Sequence, residues 1–375
     1  MRPQEDIQQY DPKDVISRRE RWLMAAWAAW LVLIYAVGGV FGVNQLQGYK
    51  AQTEAERQEQ LRTLTTDTGA AVPVAGPATE AAPADVLVGI RVRRIGGFAL
   101  KEAEWMADFD IWFLWSGETV HPGETFEVVN GDVQRREKIE SYVRDGRKYE
   151  RYHVTAQMTK QYDPSRFPFA DEGLTIQIQD NHHEAATLRY VTDERGSGLD
   201  SNALPQSVRL KRTLVAATAY RPDAGAGSGG SLASVQSRLV FAMLLKPVST
   251  SVYLMMFQAL FAAVAVSMIV FFVRATYDNT RFAIPLAAFF VAVANNIFVS
   301  TLLPRADRIT LTGMVNMVSL ATIFLILVQS AISLYMAGPR GRERLSCVFD
   351  RVSFVVMLPC YLVLNVMLPL TAMSS

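Results

Sequence analysis

Phe282 to Pro304 reads FAIPLAAFFVAVANNIFVSTLLP, a run without Asp, Glu, Lys or Arg. A helix rising ~1.5 Å per residue needs roughly 20 apolar residues to cross ~30 Å of hydrocarbon, and this run supplies them. Four more charge-free runs lie on either side: Trp22–Tyr49, Pro247–Val273, Ile309–Pro339 and Val352–Ser375. A single run of this kind is compatible with a buried core helix. Five, four of them in the last third of the chain, specify an integral membrane protein.

Lysines and arginines set the expected orientation, because cytoplasmic loops are enriched in them. Lys13, Arg18, Arg19 and Arg21 precede the first run, Arg274 and Arg281 separate the second and third, and Arg340, Arg342, Arg344 and Arg351 separate the fourth and fifth. All fall on one side if the N-terminus is cytoplasmic. The block from about Lys50 to Lys246 is then extracytoplasmic, as are Arg305 and Arg308. The length of the first apolar run and its long lead favour a retained signal anchor over a cleaved signal peptide.

Composition excludes several functions. The 375 residues are 50% hydrophobic and 19% charged with net charge +1, unlike an acidic disordered chain or a basic nucleic-acid binder. Two cysteines exclude a disulfide scaffold and a Cys-rich zinc module.

Between the first and second apolar runs the chain changes character twice. Gln45–Leu64 consists of good helix formers without an apolar stripe, and Thr65–Asp85 is an Ala/Pro/Thr/Gly linker. From Val86 onward short alternating runs appear: VLVGIRVRRI, Trp105–Trp115, TFEVV, EKIESYV, RYHVTAQM, LTIQIQ, TLRYVT, SVRLKRTLVAATAY and SVQSRLVFAMLL. Recurrent period-two alternation predicts an antiparallel β-sandwich. The expected organisation is a cytoplasmic N-terminus (1–21), an anchor helix (22–43), a linker (44–85), an extracytoplasmic sandwich (86–246) and a four-helix transmembrane domain (247–375).

Few motifs suggest chemistry. Gly225–Gly230 spells G-x-G-x-x-G, but its flanks read as strands and the stretch as a hairpin tip. His182, His183 and Glu184 follow Asp180-Asn181 and read as a polar turn, since adjacent strand residues face opposite ways and seldom share a metal. The outer block is rich in Trp and Tyr, mostly expected in the core, with a few able to line a ligand cage. No nucleophile–base arrangement, Walker loop or carboxylate pair emerges. The expectation is a non-enzyme with no catalytic residues, cofactor or metal.

The third apolar run is the most informative. At helical spacing Asn279, Ala283, Ala287, Phe290, Ala294, Ile297 and Thr301 form one stripe. Small residues serve either close helix packing or a narrow pore, in which Phe290 would act as an apolar constriction. Asn295 and Asn296 are costly to expose to lipid and should face protein or water.

Asn295–Val315, NNIFVSTLLPRADRITLTGMV, and Tyr162–Phe169, YDPSRFPF, resemble segments of the pentameric ligand-gated ion channels (the Cys-loop receptor superfamily), in the prokaryotic branch without the disulfide. Trp115 is similar to a tryptophan of that family's second strand. The resemblance runs from about Val86 to the C-terminus and implies a homopentamer in a bacterial inner membrane. It also implies a pore lined by the 279–303 helix and opened by an unidentified small-molecule or ion ligand. Phe167, Pro168, Phe169, Asp171, Lys246, Pro304 and Arg305 would couple the sandwich to the pore, with a Lys246–Asp171 contact expected. Asp278 and Arg281 would form opposed charged rings at the inner mouth. The N-terminal span is additional to the family's plan.

Overall fold

The computed structural model describes residues 17–69, 83–221, 235–247, 250–304, 306–338 and 342–373. It divides into two compact units, one of Met1–Lys50, Pro164–Pro168 and Thr250–Ser375, the other of Ala51–Asp163 and Phe169–Ser249.

The second unit is a β-sandwich-like pair of sheets. Its elements are β1 (Ala84–Ala99), β2 (Glu104–Ser116), a short helix α2 (Pro122–Thr125), β3 (Phe126–Val128), β4 (Gly131–Arg144), β5 (Arg147–Thr159), β6 (Glu172–Asp180), β7 (Leu188–Thr192), β8 (Gly198–Leu199), β9 (Val208–Tyr220) and β10 (Gln236–Pro247). One sheet runs β4-β5-β2-β1-β7, with β8 also paired to β1, and the other runs β3-β6-β10-β9. Each of the nine alternating runs contributes one strand. The two-residue β8 is too short to show any period.

The expectation of a wholly antiparallel sandwich needs correction. β1 pairs with β7 and β8 in parallel, Val86 opposite Tyr190 and Val92 opposite Leu199. β7 follows β6 of the other sheet, so no hairpin constrains it to run antiparallel.

Alternation places Trp105, Ala107, Phe109, Ile111, Phe113 and Trp115 of β2 in the core, against Val88 and Ile90 of β1, Ile176 and Ile178 of β6 and Phe241 and Met243 of β10. Burying each such large side chain stabilises the unit by roughly 1.5–3 kcal/mol. Trp112 faces outward and lies over Gly89, its partner in the register, where a Cβ would fall inside the indole ring.

The first unit is helical. Helices α1 (Arg18–Gly69), α3 (Ser251–Met268, continued by the 3₁₀ turn Ile269–Phe272), α4 (Asp278–Leu302), α5 (Leu311–Ala337) and α6 (Glu343–Met373) include five segments long and apolar enough to cross a membrane. α1 is one continuous helix across the expected anchor and into the expected linker, and the division between units falls within it, after Lys50. α6 starts well before its charge-free run because Arg344, Asp350 and Arg351 are all compatible with helix.

A seam of buried polar side chains on α5 ties the helices together. Asn316 meets Asn295 of α4 at 3.4 Å, Ser319 meets Tyr361 of α6 at 3.0 Å, and Thr322 meets Tyr35 of α1 at 2.8 Å. Where no water competes, such bonds fix register between helices that apolar packing alone would let slide.

Candidate functional site

α4 begins with Asp278, whose carboxylate accepts the Asn279 N–H at 2.8 Å and sits favourably at the positive end of the helix dipole. Its buried residues, Arg281, Pro285, Ala288, Ala292, Asn295 and Val299, recur every three or four positions and form one face. At about 100° per residue the stripe Asn279, Ala283, Ala287, Phe290, Ala294, Ile297 and Thr301 lies on the opposite face. All seven are exposed, Phe290 at 64% and Ile297 at 60%. Close packing within this chain therefore does not explain the small residues of the stripe.

The polar residues of α4 divide between the two faces. Asn295 is buried and donates to Asn316, whereas Asn296 is exposed. Near the C-terminal end of α4, the Ser300 and Thr301 hydroxyls donate back to the Ile297 and Phe298 carbonyls, each at 2.7 Å. Both hydroxyls are thus satisfied without a neighbouring helix.

Arg281 departs from its expected place in a charged ring. It is 1% exposed and turned into its own bundle, donating from Nη2 to Asp350 Oδ2 of α6 at 2.6 Å and from Nη1 to Ser333 Oγ of α5 at 2.9 Å. Ser333 also bonds Ser346 at 2.6 Å, and Gln329 reaches Asp350 at 3.4 Å. A charge at this depth is retained only when paired, and Asp350 supplies the counter-charge. Asp278 and Asn279 remain exposed at this end of α4.

Of the expected coupling residues, Phe167 and Phe169 are half-buried and Pro168 is buried. Within the helical unit the loop Pro164–Pro168 meets the start of α5, where the Leu311 N–H donates to the Ser165 carbonyl at 2.8 Å. Thr310 caps α5 by accepting the Gly313 N–H at 3.1 Å. Pro304 is half-buried just past α4, and Arg305 lies outside the described residues. Asp171 pairs with Lys211 at 2.9 Å. In the register Lys246 lies opposite Arg209, two residues before Lys211 on β9.

Two arrangements in the sheet unit were not expected from the sequence. Asp110, 1% exposed at its side chain, accepts from Arg93 Nη2 at 2.7 Å, from Arg151, and from His153 Nδ1 at 2.9 Å; His153 Nε2 lies 3.1 Å from Asp108. Arg93 is the unpaired residue of a bulge between Val92 and Arg94. Burial pushes the Asp110 carboxyl up, but the bonds from Arg151, His153 and Arg93 together outweigh it and hold the group below its ordinary range.

The second arrangement joins Phe113, Phe126, Tyr152 and Tyr190, whose ring centroids lie 5.2 to 6.4 Å apart. Arg136 lies over Phe126 at 3.8 Å and Tyr152 at 5.2 Å, so the protein places its own cation on this aromatic cluster. Burial pushes the Tyr152 phenol up to about 12.

His182 and His183 occupy a bend in which Asp180 accepts both backbone N–H groups, at 2.9 and 2.8 Å, and contacts the His183 ring at 3.0 Å. The Gly225–Gly230 tip lies outside the described residues. A close alternation of charge, Asp108-x-Asp110 facing Arg151-x-His153, was the available signal for the Asp110 cluster. The Arg281–Asp350 pair had none, since its members are 69 residues apart. No protein-family model matches the sequence, and no curated protein shows significant similarity to it.

Proposed function

We propose that the chain is the subunit of a homopentameric ligand-gated ion channel of a bacterial inner membrane. In this reading the N-terminus is cytoplasmic and the sheet unit periplasmic. Small ions pass along an axis lined by the 279–303 helix. One observation carries the reading: a stripe of small, apolar and terminal polar residues stands exposed directly opposite the packing face of a membrane-depth helix. In this reading Ala283, Ala287 and Ala294 leave room for a water path and Phe290 forms its constriction. Around a ring, the same face of every copy meets one axis. The resemblance of 162–169 and 295–315 to the pentameric channels supports the same arrangement.

A stimulus at the periplasmic unit would reach the pore through the loop containing Phe167, Pro168 and Phe169 and through Pro304 and Arg305. The burial of Arg281 leaves Asp278, Asn279 and Thr280 as the polar residues exposed at the inner end of α4. Purified full-length protein reconstituted in liposomes tests the proposal by current recording across candidate ligands and pH. Phe290→Ala is expected to increase the current by widening an apolar constriction. An assembled pentamer that stays silent in both forms would contradict conduction.

The exposure of Phe290, beside Phe289, favours a second reading: a non-conducting membrane receptor or scaffold of the same architecture. A pore closed by five phenylalanines in every state, with a partner retained through the first helix, is the outcome that selects it.

A further inference from the structure

The N-terminal helix is docked by specific contacts. Trp27 Nε1 donates to Ser353 Oγ of α6 at 3.1 Å, and its ring packs on Phe349 at 5.7 Å. Glu20 pairs with Arg342, just ahead of α6. Higher up, Tyr35 bonds Thr322 of α5 at 2.8 Å. A Cβ at Gly39 would approach Leu364 to 2.7 Å, and one at Gly42 would approach Leu368 to 2.7 Å, so the α1 backbone lies close against α6.

One turn of α6 carries both sets of contacts. Phe349 and Ser353 hold Trp27, while Asp350 between them holds Arg281 of α4, Gln329 and Ser333 of α5. Ser353 and Asp350 are three residues apart and both buried. The position of this turn is therefore constrained by α1 on one side and by the inner end of α4 on the other.

From this juxtaposition we infer that α1 is a regulatory fifth helix of the membrane unit, which sets the position of the inner end of α4 through the Phe349–Ser353 turn and the Asp350–Arg281 pair. Trp27 and Arg281 are positioning residues in this account. Neither is asked to touch an ion. The inference rests on the proposed role of α4, but its mechanical content stands apart from conduction: a change at Trp27 alters the surroundings of Asn279.

Full-length protein in nanodiscs, with both native cysteines replaced (Cys347→Ser, Cys360→Ala), carries the probe substitution Asn279→Cys. The rate of its reaction with a charged methanethiosulfonate is then measured. Trp27→Phe, which keeps an aromatic ring and removes the donor, is expected to change that rate about five-fold, the lower end of ordinary coupling between sites. Arg281→Lys should do the same, and the double variant should change it no more than the larger single one. Should Arg281→Lys fail to fold, Ser353→Ala takes its place and should reproduce Trp27→Phe.

A rate within about two-fold of the parent in Trp27→Phe would make α1 a simple anchor and overturn the inference. Single effects that multiply in the double variant would do so too. An equal response to Tyr35→Phe, which loses a bond to α5 instead, would show general loosening and also overturn the route. Labelling needs no current, so a silent channel would count against the proposed function alone.

Discussion

Asp110 shows how much one carboxylate can hold together. It faces the outer side of the sheet, yet Arg93, Arg151 and His153 cover it completely. Asp110→Asn keeps the shape but leaves two guanidinium groups without their counter-charge, and should cost the sheet unit about 2–4 kcal/mol. Thermal unfolding followed by tryptophan emission measures it. The folded-state pKa lies below the unfolded value of about 3.9. The stabilisation is therefore complete above that value and is lost as pH falls below it through the folded pKa. The gap in melting temperature between the parent and Asp110→Asn should hold from about pH 7 to 5 and close below about pH 4. A gap that stays constant into that acid range would contradict the pairing. Asp108 and Asp110 alternate with the core residues of β2, but nothing in the local pattern of that strand said that arginines from β1 and β5 would close over one of them.

At the scale of elements, the strands and spans were legible because their periods are strong. Trp105–Trp115 alternates without a break and becomes β2, and the charge-free runs lie in helices long and apolar enough to cross a membrane. Ends and partners were less legible. α6 starts among charged residues because one face of its first turns is buried against α5, and a hydropathy run cannot register one face. The docking of α1 was invisible for a related reason: its glycines have meaning only beside the side chains of a helix some 300 residues away. They give a sharp test. Gly39→Val and Gly42→Val each force a Cβ into Leu364 or Leu368, whereas Gly38 has open space around its Cα. Each of the first two should destabilise the helical unit by about 1–3 kcal/mol in thermal unfolding, and Gly38→Val should have no comparable effect. Equal effects at all three positions would mean that α1 does not pack as described.

For the whole molecule, the outward residues of the helical unit form two populations. Leu254, Met255, Phe272, Phe324, Val355 and Val363 are exposed, large and apolar, suited to a lipid solvent. The exposed midline of α4 holds Ala283, Ala287 and Ala294 together with Phe290 and Ile297, and carries Asn279 and Thr301 towards its ends. Lipid suits the first population; in the proposed assembly, copies of the chain enclose the second. The sequence made that stripe visible through spacing alone. It could not reveal the bundle face of α4, which depends on Arg281 finding Asp350 and Asn295 finding Asn316. Imaging the full-length protein in nanodiscs along the membrane normal tests the arrangement most directly. Five copies around an axis, with α4 innermost and Ala283, Ala287 and Ala294 surrounding a water-filled path, is the predicted result. A two-fold particle, or a ring in which that stripe faces lipid or another helix, would contradict it.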